Sequence, residues 1–127
     1  MLPGLYSAFA NVRVFSRPSY TQDGSSLNRT RILGAAANLM LTETLSKVNR
    51  PDFPLNWQST ERMPKIDWKT GTYYGSREAW SIGYKKHYTV GVWWGNFSAI
   101  GVPELSGATI ANTLLFKSLN SITSDRY

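Results

Sequence analysis

Lys69, Thr70, Gly71 and Thr72 are the residues of this chain whose types and spacing are best suited to chemistry. In an extended segment their side chains alternate, so Lys69 and Gly71 share one face and Thr70 and Thr72 the other. At a strand edge beside a cleft the group offers four things. Lys69 brings a positive charge, and the threonine hydroxyls donate to a carboxylate. Gly71 removes the side chain that would block a substrate lying along the strand. The backbone N–H of Thr72 can stabilise a developing oxyanion. The plain alternative is an exposed polar strand with no ligand at all.

Other reactive groups are few. His87 is the single histidine and there is no cysteine. No thiolate nucleophile, disulfide framework or Cys-based metal site follows, and neither metal nor cofactor is expected. His87 sits beside Lys85-Lys86, as a solvated turn residue does. Trp80, Trp93 and Trp94, with Arg77, Lys85 and Lys86 near them, sketch a stacking surface for nucleic acid. Alternation instead assigns these rings to packed faces of a sheet, so no nucleic-acid partner is expected.

The chain has 127 residues, one domain at most, and is 42% hydrophobic with five Trp, seven Tyr and five Phe to fill a core. The net charge of +6 suits an anionic partner such as a carboxylate-bearing substrate, a membrane surface or nucleic acid. No apolar run reaches membrane-spanning length. The opening "MLPGLYSAFANVRVF" lacks the basic start of a signal peptide; Leu2, Leu5, Tyr6, Phe9 and Ala10 recur at helical spacing instead. A chain that opens inside an uncapped helix reads as cut from something longer.

Residues 16–26, with Pro18, Asp23 and Gly24, read as a surface loop. A helix follows, capped by Asn28 or Thr30, with Leu33, Ala37, Met40, Leu41, Leu45 and Val48 as its buried stripe. Pro51 and Pro54 forbid its continuation, and residues 55–64 read as loop. Three strands are then predicted, one through Lys69–Thr72, one over "EAWSIGY" and one over residues 87–95. The turns between them lie at "YYGS" and at Lys85-Lys86. In the middle strand Trp80, Ile82 and Tyr84 point one way. Ala79, Ser81 and Gly83 point the other, a face smooth enough for a helix or another backbone to approach closely. In the third, Val90, Val92 and Trp94 share a face. Ser106 caps a last helix with Ala111, Leu114, Leu115, Leu119 and Ile122 buried. The fold class is α+β, a three-stranded antiparallel meander with flanking helices.

In this context "KTGT", a turn, "REAWSIGY" and "YTVGVWWGN" resemble the carboxyl-terminal half of a penicillin-binding transpeptidase, in which Lys-Thr-Gly is the third motif after Ser-x-x-Lys and Ser-x-Asn. "VNRPDFPLNWQ", "GVPELSGATIANTLLFKSLNSI" and "LPGLYSAFAN" are similar to segments of the penicillin-binding protein 1C family. The resemblance implies that residues 1–127 are a carboxyl-terminal fragment of the transpeptidase domain. It implies a peptidoglycan D,D-transpeptidase working through a serine acyl-enzyme on D-Ala-D-Ala stem peptides and acylated by beta-lactams. The parent would be anchored in the cytoplasmic membrane by a helix outside this chain, act on the periplasmic side, and carry a glycosyltransferase domain as relatives do. By the same resemblance Lys69 and Thr70 shape the site around the serine. The Thr70 and Thr72 hydroxyls meet the substrate carboxylate, Gly71 permits close approach, and the Thr72 N–H is one of two oxyanion donors.

The departures are equally specific. Ser-x-x-Lys is absent; Ser59-Thr60-Glu61-Arg62 comes nearest, and its arginine cannot act as a base. Ser26-Leu27-Asn28 and Ser118-Leu119-Asn120 spell Ser-x-Asn by coincidence, and Tyr73 stands where relatives commonly have serine. The chain alone is therefore expected to be inactive, with the remainder of the transpeptidase domain as its partner. The family's sheet also implies a missing strand beside residues 87–95, leaving an exposed edge. The competing reading is a non-catalytic truncated remnant or a basic, aromatic binding module.

Overall fold

A computed structural model describes residues 2–11, 13–21, 28–48, 65–72, 78–95, 98 and 107–124. The elements run α1 (Leu2–Ala10), β1 (Val14–Ser16), β2 (Arg29–Arg31), α2 (Ala35–Ser46), β3 (Asp67–Thr72), β4 (Glu78–Tyr84), β5 (Thr89–Gly95) and α3 (Gly107–Ser124). The fold is α+β, as the sequence predicts.

The central sheet has the order β3-β4-β5, antiparallel throughout, so β4 lies inside and β3 and β5 are the edges. Its register puts Ser81 opposite Thr70 and Val92, and Gly83 opposite Trp68 and Val90. Alternation makes these one face, and α3 covers it. Ala79, Ser81 and Gly83 are buried, and a Cβ on Gly83 would come within 3.1 Å of Leu119 Cδ1 and 3.2 Å of Leu115 Cδ2. The small residues of β4 thus let α3 lie directly on the strand, as the Ala/Ser/Gly face predicts. The core there is Ile66, Trp68, Leu115, Phe116 and Leu119, with Val90 and Val92 packed against it. At about 25 cal/mol per Å² of apolar surface removed from water, burial of these side chains stabilises the seam.

The other face carries α1. Pro3 lies over Gly91, where an added Cβ would meet Pro3 Cγ at 2.6 Å, and Phe9 tilts against Tyr84 with ring centroids 6.2 Å apart. α2 reaches the sheet beside Tyr84 and β3: Thr42 Oγ1 lies 3.4 Å from the Tyr84 hydroxyl, and Trp68 Nε1 donates to the Val48 carbonyl at 3.4 Å. The Lys85–Tyr88 turn closes with Lys85 N–H donating to the Tyr88 carbonyl at 2.8 Å, and His87 is exposed in it.

Five expectations are corrected. Residues 14–16, expected as the end of the opening helix and the start of a loop, and residues 29–31, expected as a helix start, form an antiparallel pair, β1 with β2. Because Arg29–Arg31 are held in that pairing, α2 starts only at Ala35. Its N-cap is Gly34, with no side-chain cap, rather than Asn28 or Thr30. The α2 stripe is only partly covered: Leu45 is buried and Leu33, Leu41 and Val48 are half-buried, but Ala37 is exposed and Met40 is 68% exposed. On α3, Leu114 faces solvent and Phe116 takes its place inside, because the helix presents positions 111, 112, 115, 116 and 119 to the sheet. Trp93 and Trp94 are 38% and 45% exposed, against the expectation that their rings pack inside. The "YYGS" turn, residues 55–64, Pro51, Pro54 and Ser106 lie outside the described residues. Among the described residues no helix is long and apolar enough to cross a membrane.

Candidate functional site

β3 forms because Trp68, Thr70 and Thr72 alternate with Asp67, Lys69 and Gly71, and one face can be buried while the other is not. Burial follows that alternation and fades along the strand. Ile66 and Trp68 are buried under α3, Thr70 is half-buried and Thr72 is exposed. The Lys69–Thr72 segment therefore leaves the core just as the strand ends. It lies on an edge of the sheet, and β4 is its sole strand neighbour among the described residues.

Each of the four residues is exposed or half-buried, and all lie within one edge segment. Lys69 projects from the face opposite α3, and its ammonium folds back to donate to the carbonyl of Thr70. Gly71 sits opposite Trp80 in the ladder, yet a Cβ built on it would meet nothing within 4 Å among the described residues. No packing within the described chain demands a glycine there. Space beside the backbone is what the glycine preserves, and that space suits a ligand lying along the strand. An edge strand also directs every second N–H and C=O away from its partner, towards that space.

Trp68 fixes the position of this segment, a role that sequence reasoning passed over. Its ring meets Phe116 of α3 edge-on, with centroids 5.0 Å apart and planes at 76°, while its indole N–H reaches the Val48 carbonyl beyond the end of α2. One side chain thus ties the strand to two helices, one residue before Lys69. The signal for it was present: a lone large aromatic preceding a polar run on an alternating strand.

Asp67 shares the face of Lys69. Burial pushes its carboxyl up to about 6, with Lys65 pulling in the other direction. Across the ladder stands Tyr84, whose hydroxyl is raised by burial, a shift opposed by its hydrogen bond with Thr42. Ser118 and Asn120 lie on α3, behind the opposite face of the sheet from Lys69, so their Ser-x-Asn spelling does not join the Lys69 group. Ser59, Glu61, Arg62, Ser26 and Tyr73 lie outside the described residues.

No family profile matches the chain. Over 42 residues, 33% of the chain, it is 45% identical to penicillin-binding protein 1C of Escherichia coli (strain K12). The matched stretch spans 6% of that protein's length. A third of this chain thus carries a similarity to a penicillin-binding protein, the group that the residues around Lys69 resemble.

Proposed function

We propose that this chain is the carboxyl-terminal part of a penicillin-binding D,D-transpeptidase domain, supplying the Lys69–Thr72 wall of its site. The observation that carries this reading is the edge position of the segment, with open space at Gly71. A serine outside residues 1–127 attacks the carbonyl of the penultimate D-Ala. The terminal D-Ala leaves as the free amino acid after gaining a proton at its nitrogen. The acyl group then passes from the serine to an amine of a neighbouring stem peptide, which gives up a proton. The Thr70 and Thr72 hydroxyls hold the terminal carboxylate by charge-assisted hydrogen bonds, while Lys69, on the other face of the strand, shapes the site around the serine. The Thr72 N–H faces the oxyanion as the tetrahedral intermediate forms, and the serine's own N–H is the second donor. Beta-lactams take the place of the D-Ala-D-Ala unit in the same step. The complete protein would then be a cell-envelope enzyme of the periplasmic side, held by a membrane helix and bearing a glycosyltransferase domain, both outside this chain.

The coding sequence upstream of Met1 is the direct test. An in-frame Ser-x-x-Lys followed by Ser-x-Asn is expected. The chain joined to that segment should take up fluorescent penicillin, while residues 1–127 alone should not. Lys69→Ala or Thr70→Val in the joined protein should cut acylation by about tenfold or more, the scale of a lost charge-assisted contact. A stop codon or an unrelated frame upstream, or full labelling of both variants, would overturn the reading.

A second reading rests on Trp93 and Trp94, whose exposed rings are what a binding module for single-stranded nucleic acid would present. Salt-dependent retention of the chain on single-stranded DNA would favour it.

A further inference from the structure

β1 and β2 form a two-stranded ribbon beside α1. The backbone of Arg13 ties its base to the helix: the Arg13 N–H donates to the Ala8 carbonyl at 2.8 Å, and the Arg13 carbonyl accepts the Ile32 N–H at 3.0 Å. Phe15 and Pro18 reach Gly4 of α1, where an added Cβ would meet Pro18 Cγ at 2.9 Å and Phe15 Cε2 at 3.8 Å. Alternation then turns Val14 and Ser16, with Arg31 and Arg29 opposite them, to the face away from Phe15. Every residue of β2 is exposed.

We propose that this ribbon docks on an anionic lipid bilayer, with Arg17, Arg29 and Arg31 pairing to headgroup phosphates and Tyr20 lying at the level of the headgroups.

Three observations carry the assignment. First, the charge is one-sided. Residues 1–42 hold four arginines, no lysine and a single acidic residue, Asp23. Second, three of those arginines are uncommitted. Arg17, Arg29 and Arg31 are exposed, and their side chains make no ion pair or hydrogen bond among the described residues. Arg29 and Arg31 stand two positions apart on one strand face, about 7 Å along the strand, so each can take its own phosphate. Arg17 follows Ser16, the partner of Arg29, at the same end of the ribbon. Third, Tyr20 is held out into water. Ser19 Oγ donates to the Thr21 carbonyl at 2.7 Å and accepts the Thr21 N–H at 3.4 Å, and the tight turn leaves Tyr20 93% exposed. A tyrosine ring gains by leaving water while its hydroxyl stays wet, and the headgroup layer of a bilayer meets both conditions.

These features favour a lipid surface over single-stranded nucleic acid. Base stacking along a strand uses successive rings in a groove. Here one exposed ring stands at the end of an outward face of guanidinium groups, an arrangement that matches a plane of headgroups. The ribbon shares no residue with Lys69–Thr72, so its contact with lipid is independent of any transpeptidase site.

The test is cosedimentation of residues 1–127 with vesicles of phosphatidylcholine mixed with phosphatidylglycerol, and with vesicles of phosphatidylcholine alone. Binding is expected on the mixed vesicles, falling as salt is raised. Each basic residue at an anionic surface contributes about fivefold, so Arg29→Gln with Arg31→Gln should bind about 25-fold more weakly. Lys86→Gln with Lys117→Gln removes the same charge from exposed positions outside the ribbon, and should weaken binding by less than about threefold. Tyr20→Ser leaves the charge unchanged and should also weaken binding. All of these positions are exposed, so the variants' circular dichroism should match that of the parent chain. Equal losses in the two double variants would mean that net charge alone draws the chain to the surface, and would overturn the proposal. So would equal binding to both kinds of vesicle, or no binding to either. Retention on single-stranded DNA that depends on Arg29 and Arg31, with vesicle binding indifferent to them, would overturn it too.

Discussion

Ser81 Oγ donates to Asn112 Oδ1 at 2.8 Å, with both residues buried in the seam between β4 and α3. It joins the inner strand to the helix that covers it, a polar pin in an otherwise apolar layer. Ser81→Ala strands the Asn112 oxygen and should destabilise the chain by about 1–3 kcal/mol, read by urea unfolding. Replacing both partners by apolar residues of similar shape should cost less than the sum of the two single changes. A strictly additive double-mutant cycle would show that the two groups do not interact.

Gly71 and Gly83 give opposite expectations for the same substitution. Gly83→Ala drives a methyl against Leu115 and Leu119 and should cost about 1–3 kcal/mol through overpacking. Gly71→Ala meets nothing, and should be neutral or stabilising by up to about 1 kcal/mol, because the unfolded chain loses freedom. Only the second should impair beta-lactam acylation of the joined protein. Loss of stability at Gly71 would mean that packing, rather than a ligand, keeps the glycine.

Much of this architecture was legible in the sequence, and the reasons are local. The Ala79/Ser81/Gly83 face announced a helix lying on the strand, because alternation of small residues has few other uses in a strand with Trp80, Ile82 and Tyr84 on its back. The pairing of β1 with β2 was not legible. "RTR" is polar, every residue of it is exposed, and backbone hydrogen bonds alone hold it. That pairing then displaced the start of α2, an effect no capping rule foresees. On α3 the apolar residues outnumber those one face can bury. Contact with Gly83 decided that Leu115 and Leu119 turn inwards, which brings Phe116 in and leaves Leu114 out. That Lys69–Thr72 lie on one strand was legible because the four residues are contiguous.

Asp67 makes stability depend on pH. Its carboxyl rises from 3.8 to about 6 on folding, chiefly by burial, so in that window the folded chain holds a proton the unfolded chain has released. Stability therefore falls as pH rises through the window and levels off above it. The groups around it are Lys65, Tyr84 and, across the cleft between α1, α2 and β3, Arg13, Lys85 and Lys86. Glu43, held below its usual range by Lys47, works in the opposite sense at the acid end. Asp67→Asn should flatten the fall and raise stability at neutral pH. Urea unfolding below, within and above the window reads both effects, and an unaltered slope in the variant would assign the dependence to another group.

The two edges of the sheet differ in how they are guarded. β3 carries Lys69, and an exposed lysine on an edge discourages pairing with another strand. β5, "TVGVWWG", has neither charge nor proline, and β4 is its single strand partner among the described residues. Trp93 and Trp94 are exposed on it, so a second strand would gain apolar contact as well as backbone hydrogen bonds. Residues 1–127 are therefore expected to self-associate at micromolar concentration, and Trp94→Lys to shift them towards monomer, as followed by sedimentation. If a strand from the rest of a transpeptidase domain is the natural occupant, joining the upstream segment should also abolish the association. A clean monomer of the unmodified chain, melting cooperatively, would mean that this edge is protected by means other than a missing strand.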